Sequence, residues 1–205
     1  MNFLAHFFLA REDPAWVAGN FLADYLRKPQ LQALPAEVLE GVALHLEIDR
    51  ITDSHPLVRQ QVRLLHPAHG KYAPVVLDVL FDYHLWHNWA RYSGVPFEEF
   101  EQAVFQALAS YQHVMPPDLQ QRLPRMLYSE WLRSYGTVEG LAFTFGRLQR
   151  RASRPEWLEG ATHTHATHLA ALDEGFNAFF PQIIEAVGNW KAALSLKKEG
   201  DGKRS

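Results

Sequence analysis

The chain has 205 residues, 47% of them hydrophobic and 21% charged, which is long enough to bury one sizeable core and marks an ordinary soluble globular protein. It contains no cysteine, which excludes disulfides, thiolate nucleophiles and cysteine-type zinc sites and leaves any metal to nitrogen and oxygen ligands. A formal net charge of -3 gives no general attraction to nucleic acid, so no nucleic-acid partner is expected.

The opening "MNFLAHFFLA" is apolar, but it has no basic leader, carries His6 and runs straight into "RED", so it makes a poor signal peptide. No apolar run approaches the ~18 residues of a membrane span, and a cytoplasmic protein without a membrane partner is expected. Helical periodicity then dominates, with no convincing alternating strand. Asp13 and Pro14 supply an N-cap and a first-turn proline for a helix to about Arg27, in which Asp24 follows Asn20 by four residues. Pro35 opens the next helix, to about Asp53. Within it, "LHLEIDRITDSHP" carries His45, Asp49 and Asp53 at four-residue spacing, which holds the three side chains within roughly 80° of one another. Leu44, Leu46, Ile48 and Ile51 leave little of this helix purely solvated, so its ionisable stripe needs a partner.

A shorter helix follows Pro56. The longest apolar segment, residues 72–94, reads as a central buried helix ending at Gly94, and it carries Asp78 and Asp82 four residues apart among valines, leucines and Phe81. His84 and His87 lie about 120° and 180° around that helix from Asp78 and are expected to face elsewhere. Further helices are predicted in "FEEFEQAVFQALASY", in "LQQRLPRMLYSEWLRSYG" with an interruption at Pro124, in "VEGLAFTFGRLQRR", and once or twice between Pro155 and about Leu196. The expected architecture is an all-α bundle of roughly seven to nine helices in one domain over 1–196, with a disordered polar tail over 197–205.

His6, Asp24, His45, Asp49, Asp53, Asp78 and Asp82 supply two imidazoles and five carboxylates from four segments, a donor set that suits a hard or borderline divalent cation such as Mn²⁺ or Mg²⁺. Each residue alone has a plainer reading. A buried histidine ordinarily bonds a carbonyl, and Asp49 or Asp53 could pair with Arg50, Arg59 or His55. Convergence of several stripes favours the metal reading. "THTHATH", with His163, His165 and His168, scatters its rings around a helix and is expected at the surface, while Phe143, Phe145, Phe176, Phe179 and Phe180 are expected in the core.

The blocks "MNFLAHFFLA", "GNFLADYLR", "GVALHLEIDRITDSHPLVR", "LDVLFDYHLWHNW" and "GRLQRR" resemble the bacterial acyl carrier protein phosphodiesterases, from the first residue to about Arg151 and more weakly beyond. The resemblance implies an all-helical metal enzyme distantly like the HD-domain phosphohydrolases, though the adjacent His-Asp pair of that larger group is absent and His45 with Asp49 is its nearest equivalent. It implies hydrolysis of the phosphodiester joining 4'-phosphopantetheine to a serine of acyl carrier protein, with Mn²⁺ favoured. His6, Asp24, His45, Asp49, Asp78 and Asp82 form the pool for the metal and its surroundings, and His45, Asp53 and Asp24 are the candidate acid–base groups. Some relatives carry a histidine directly after the second aspartate of the central helix. Here Tyr83 stands there and a histidine comes one later, at His84, so no ligand role is carried to that point.

Carrier proteins are small and acidic, which gives meaning to the basic side chains. Arg147, Arg150, Arg151 and Arg154 cluster near one helix end and Arg27 with Lys28 near another, a plausible dock for an acidic helix or a phosphate, although arginines at helix C-termini also simply complement the dipole. Two rival readings are a metal phosphohydrolase acting on a nucleotide and a non-enzymatic helical module binding an acidic protein. Sequence alone says nothing of the oligomeric state.

Overall fold

The computed structural model describes residues 1–129 and 131–202, and among these all regular structure is helical. The helices are α1 (Phe3–Ala10), α2 (Pro14–Ala23), α3 (Lys28–Leu31), α4 (Ala36–Ser54), α5 (Pro56–His69), α6 (Ala73–His87), α7 (Trp89–Tyr92), α8 (Phe97–Ser110), α9 (Pro117–Tyr128), α10 (Val138–Gln149) and α11 (Ala161–Gly202). Single turns α3 and α7 apart, this is the expected all-α architecture. No helix among the described residues is long and apolar enough to cross a membrane.

Two helices run through the middle. Every residue of α1 from Leu4 to Ala10 is buried, which fits its lack of a polar stripe, and α6 buries Val76, Leu77, Val79, Leu80, Phe81 and Leu85. Phe7, Phe8, Phe21, Phe81, Phe176, Phe179 and Phe180 are fully buried around them. The expected long central helix is shorter than its apolar run, and Gly94 does not close it. It pauses at Asn88, whose φ of -102° and ψ of 17° leave the helical region and whose side-chain amide donates to His84 O at 2.9 Å and to the Asp173 carboxylate at 2.8 Å. The first full helix likewise stops at Ala23 instead of about Arg27, leaving Asp24 as its C-cap.

Helices α2 and α4 meet at glycines. A Cβ on Gly41 would sit 2.6 Å from Trp16 Cα, and one on Gly19 would sit 2.2 Å from Val38 O, so the two backbones are in direct contact. Only hydrogen in place of a side chain permits this approach. It brings the C-terminal end of α2, with Asp24, over the His45–Asp49 turn of α4.

The last helix is bent at His168, whose φ of -111° and ψ of 15° leave the helical region. It continues through Gly202, into the segment expected as a polar tail, of which residues 203–205 lie outside the described residues.

Candidate metal centre

Three side chains from two helices converge. His6 Nε2 on α1 lies 3.2 Å from Asp49 Oδ1, and His45 Nε2 on α4 lies 3.2 Å from Asp49 Oδ2. The two imidazole rings stack with centroids 4.4 Å apart. Asp24 Oδ1 stands 3.7 Å from His45 Nε2, at the end of α2. His6 and His45 are only 3% and 7% exposed, whereas the Asp24 and Asp49 side chains are 46% and 43% exposed. The group is therefore a buried imidazole floor under a carboxylate mouth open to solvent. Among the described residues, His6, His45 and Asp49 offer ligand atoms within 4.8 Å of one another.

The proton on His6 is fixed by a neighbour. Asn20 uses its amide nitrogen to donate to Gly41 O at 3.2 Å and Trp16 O at 3.4 Å, so its oxygen must face His6, whose Nδ1 stands 2.9 Å away. That oxygen can only accept, so Nδ1 carries the hydrogen and Nε2 of the neutral ring keeps its lone pair. Burial lowers the His6 pKa and favours the neutral ring, although the Asp49 contact works the other way. The buried Nε2 makes no aligned hydrogen bond. A lone pair and a carboxylate oxygen face each other at 3.2 Å, an arrangement that a bound cation satisfies. The donor set fits a divalent metal with nitrogen and oxygen ligands.

Charge around the mouth is tuned by position. Burial pushes the Asp49 carboxyl up, but His45 and His6 outweigh it and hold the group well below the usual carboxylate range. Asp24 is raised, chiefly by burial and also by Asp49, against the pull of the two imidazoles. Asp53, one turn beyond Asp49, is raised by burial and by the charges of Asp78 and Asp49.

Asp78 and Asp82 are drawn elsewhere. Both Asp82 oxygens accept backbone amides at the start of α1, from Leu4 at 2.8 Å and Ala5 at 3.0 Å, and Asp78 Oδ1 takes the amino group of Met1 at 2.8 Å. The N-cap residue Asn2 makes no side-chain cap, so α6 caps α1 across the fold. The stripe on α6 thus has its partner, and the partner is a helix end. Two carboxylates expected among the ligands instead position the helix that presents His6.

His84 and His87 do face away, bonding Asp173 at 3.1 Å and Gly136 O at 3.0 Å respectively. His165, expected at the surface, is buried at 3% exposure against Tyr83 and His84, while Phe143, expected in the core, is 63% exposed. The other four phenylalanines of that set are buried.

Arg147 and Arg151 lie within electrostatic reach of the Tyr25 hydroxyl, next to Asp24, and Arg122 from α9 joins them. No sequence signal brings Arg122 there, because the approach depends on how α9 packs. Arg27 and Arg150 are exposed, at the N-cap of α3 and the C-cap of α10.

A family model described as acyl carrier protein phosphodiesterase matches residues 1–183. The protein named acyl carrier protein phosphodiesterase from Enterobacter sp. (strain 638) is 32% identical over 191 residues, covering 92% of this chain and 98% of its own. Namesakes from Photorhabdus laumondii and Escherichia coli O157:H7 are each 31% identical, over 92% and 90% of this chain and 96% of their own. No solved structure matches the chain.

Proposed function

The chain belongs to the acyl carrier protein phosphodiesterase family, and from that premise we propose that it releases 4'-phosphopantetheine from holo acyl carrier protein by hydrolysing the phosphodiester to the carrier serine. The observation that carries this reading is the His6–His45–Asp49 group with Asp24 at its rim, a nitrogen–oxygen donor set beside a solvent-open mouth. Mn²⁺, or Mg²⁺ in its place, is the cation we assign to His6, His45 and Asp49, with Asp24 alongside. Such an ion supplies Lewis-acid activation of water and of the phosphoryl oxygens.

The chain's own residues do the rest. Asn20 keeps the lone pair of His6 aimed at the mouth, and Asp49, held ionised, faces both imidazoles. When the bond between phosphorus and the serine oxygen breaks, that oxygen takes a proton. Asp53 and Asp24, both raised, are the carboxyls we assign to hold and release it, with His45, which stands between Asp24 and Asp49, as the partner of Asp24. Arg147 and Arg151, on the Tyr25 side, are the charges we assign to an acidic carrier protein, with Arg27 and Arg150 extending that face. We place this activity in the cytoplasm.

Intact-mass measurement of holo carrier protein incubated with the enzyme tests the reading. Conversion to the apo mass with Mn²⁺, and its arrest by a chelator, is the expected result. An unchanged holo mass across Mn²⁺ and Mg²⁺ would overturn it.

A further inference from the structure

A groove of about 440 Å³ opens between α5 and α6, beside the candidate metal centre. Asp53 and Asp78 both line it. Asp53 stands one turn after Asp49 on α4, close enough to feel the charges of both Asp49 and Asp78. The floor is apolar, with Val62 and Leu77 among its residues, and Arg59 and Arg63 stand along the wall one helical turn apart. Arg59 is steered there by donating to the backbone oxygen of Asp53 at 3.2 Å.

Resting on the reading just given, we propose that this groove takes the pantetheine arm of the substrate while its phosphate lies at the His6–His45–Asp49 group. The walls balance two carboxylates against two guanidiniums, which suits a neutral polar chain better than a second anion. Pantetheine is such a chain. Its amides offer an N–H group to Asp78 and carbonyl oxygens to Arg59 and Arg63, and its geminal methyl groups match the apolar floor, which leaves Asp53 to the phosphate. The groove volume falls in the range of small-molecule sites. On α4, His45 with Asp24 against it stands one turn before Asp49 and Asp53 one turn after, so the arm leaves the phosphate on the Asp53 side and the carrier protein, met by the arginines near Tyr25, on the Asp24 side.

The probe is pantetheine itself, kept reduced and lacking the phosphate, titrated into the full chain without added metal and followed by amide NMR shifts. Saturable binding is expected, with shifts centred on α5 and α6. Val62→Trp, which fills the half-buried floor, should weaken it at least tenfold, and Arg63→Ala, at an exposed position that leaves the fold intact, about fivefold. No binding by the natural chain, or equal binding by it and both variants, would overturn the groove assignment. Hydrolysis of holo carrier protein without pantetheine binding would leave the proposed function standing and the groove refuted. Pantetheine binding without any release from the carrier would do the reverse.

Discussion

Asn20 shows how much one uncharged side chain decides. Its two donated hydrogen bonds leave only its oxygen for His6, and this sets the tautomer of an imidazole that a cation would use. Asn20→Ala should therefore keep the chain helical yet weaken Mn²⁺ binding by about 10- to 100-fold, as removal of a ligand's hydrogen-bond partner does. Calorimetric titration checks this, and an unchanged affinity would separate the tautomer from the site. Single residues are also where the sequence is only half legible. The carboxylates of Asp78 and Asp82 on an apolar helix did require partners, and they find them in the amino group of Met1 and the backbone amides of Leu4 and Ala5 at the start of α1. Nothing in a four-residue spacing distinguishes a cation from a helix N-terminus, because both are concentrations of positive charge.

At the scale of elements, the α2–α4 contact holds Asp24 and Asn20 against the His45–Asp49 turn. Gly41→Ala places a methyl carbon 2.6 Å from Trp16 Cα and O, against backbone that cannot rotate away. We expect a loss of about 1–3 kcal/mol of stability, measurable by urea denaturation, together with weaker metal binding because Asn20 donates to Gly41 O. The α6–α11 contact has a different vulnerability. Burial lowers the His165 pKa to about 4, with neighbouring His84 and His87 adding to the effect, and burial lowers His84 too despite Asp173. The unfolded chain binds the His165 proton at about 6.5, so between these values the unfolded state carries more protons than the folded one. The contribution of His165 is thus complete above pH 6.5 and is lost as pH falls towards 4, by roughly 3 kcal/mol at most. Thermal melts at pH 7 and pH 5 should show a smaller acid shift for His165→Leu than for the natural chain. An identical shift would remove His165 from the acid response.

Across the whole molecule, the all-α class and the helices on either side of the glycine contact were legible because apolar periodicity, prolines and N-caps agree with one another. His6, Asp24, His45 and Asp49 were legible as a group through spacing and family resemblance. The close approach of α2 and α4, the burial of His165, the exposure of Phe143 and the arrival of Arg122 within electrostatic reach of Tyr25 were not, since each depends on packing between distant segments. The arginine face has its own test at this scale. If Arg147 meets an acidic carrier protein, Arg147→Glu should raise the apparent KM for holo carrier protein several-fold at low salt, with the gap closing as salt screens beyond about 10 Å. Equal KM values at low salt would return Arg147 to an ordinary helix end. Whether His6, His45 and Asp49 form one cation site is decided by a calorimetric Mn²⁺ titration of the natural chain beside Asp49→Asn. The natural chain should show a saturable site that Asp49→Asn weakens at least 100-fold, and superimposable isotherms would mean that these three residues hold no cation.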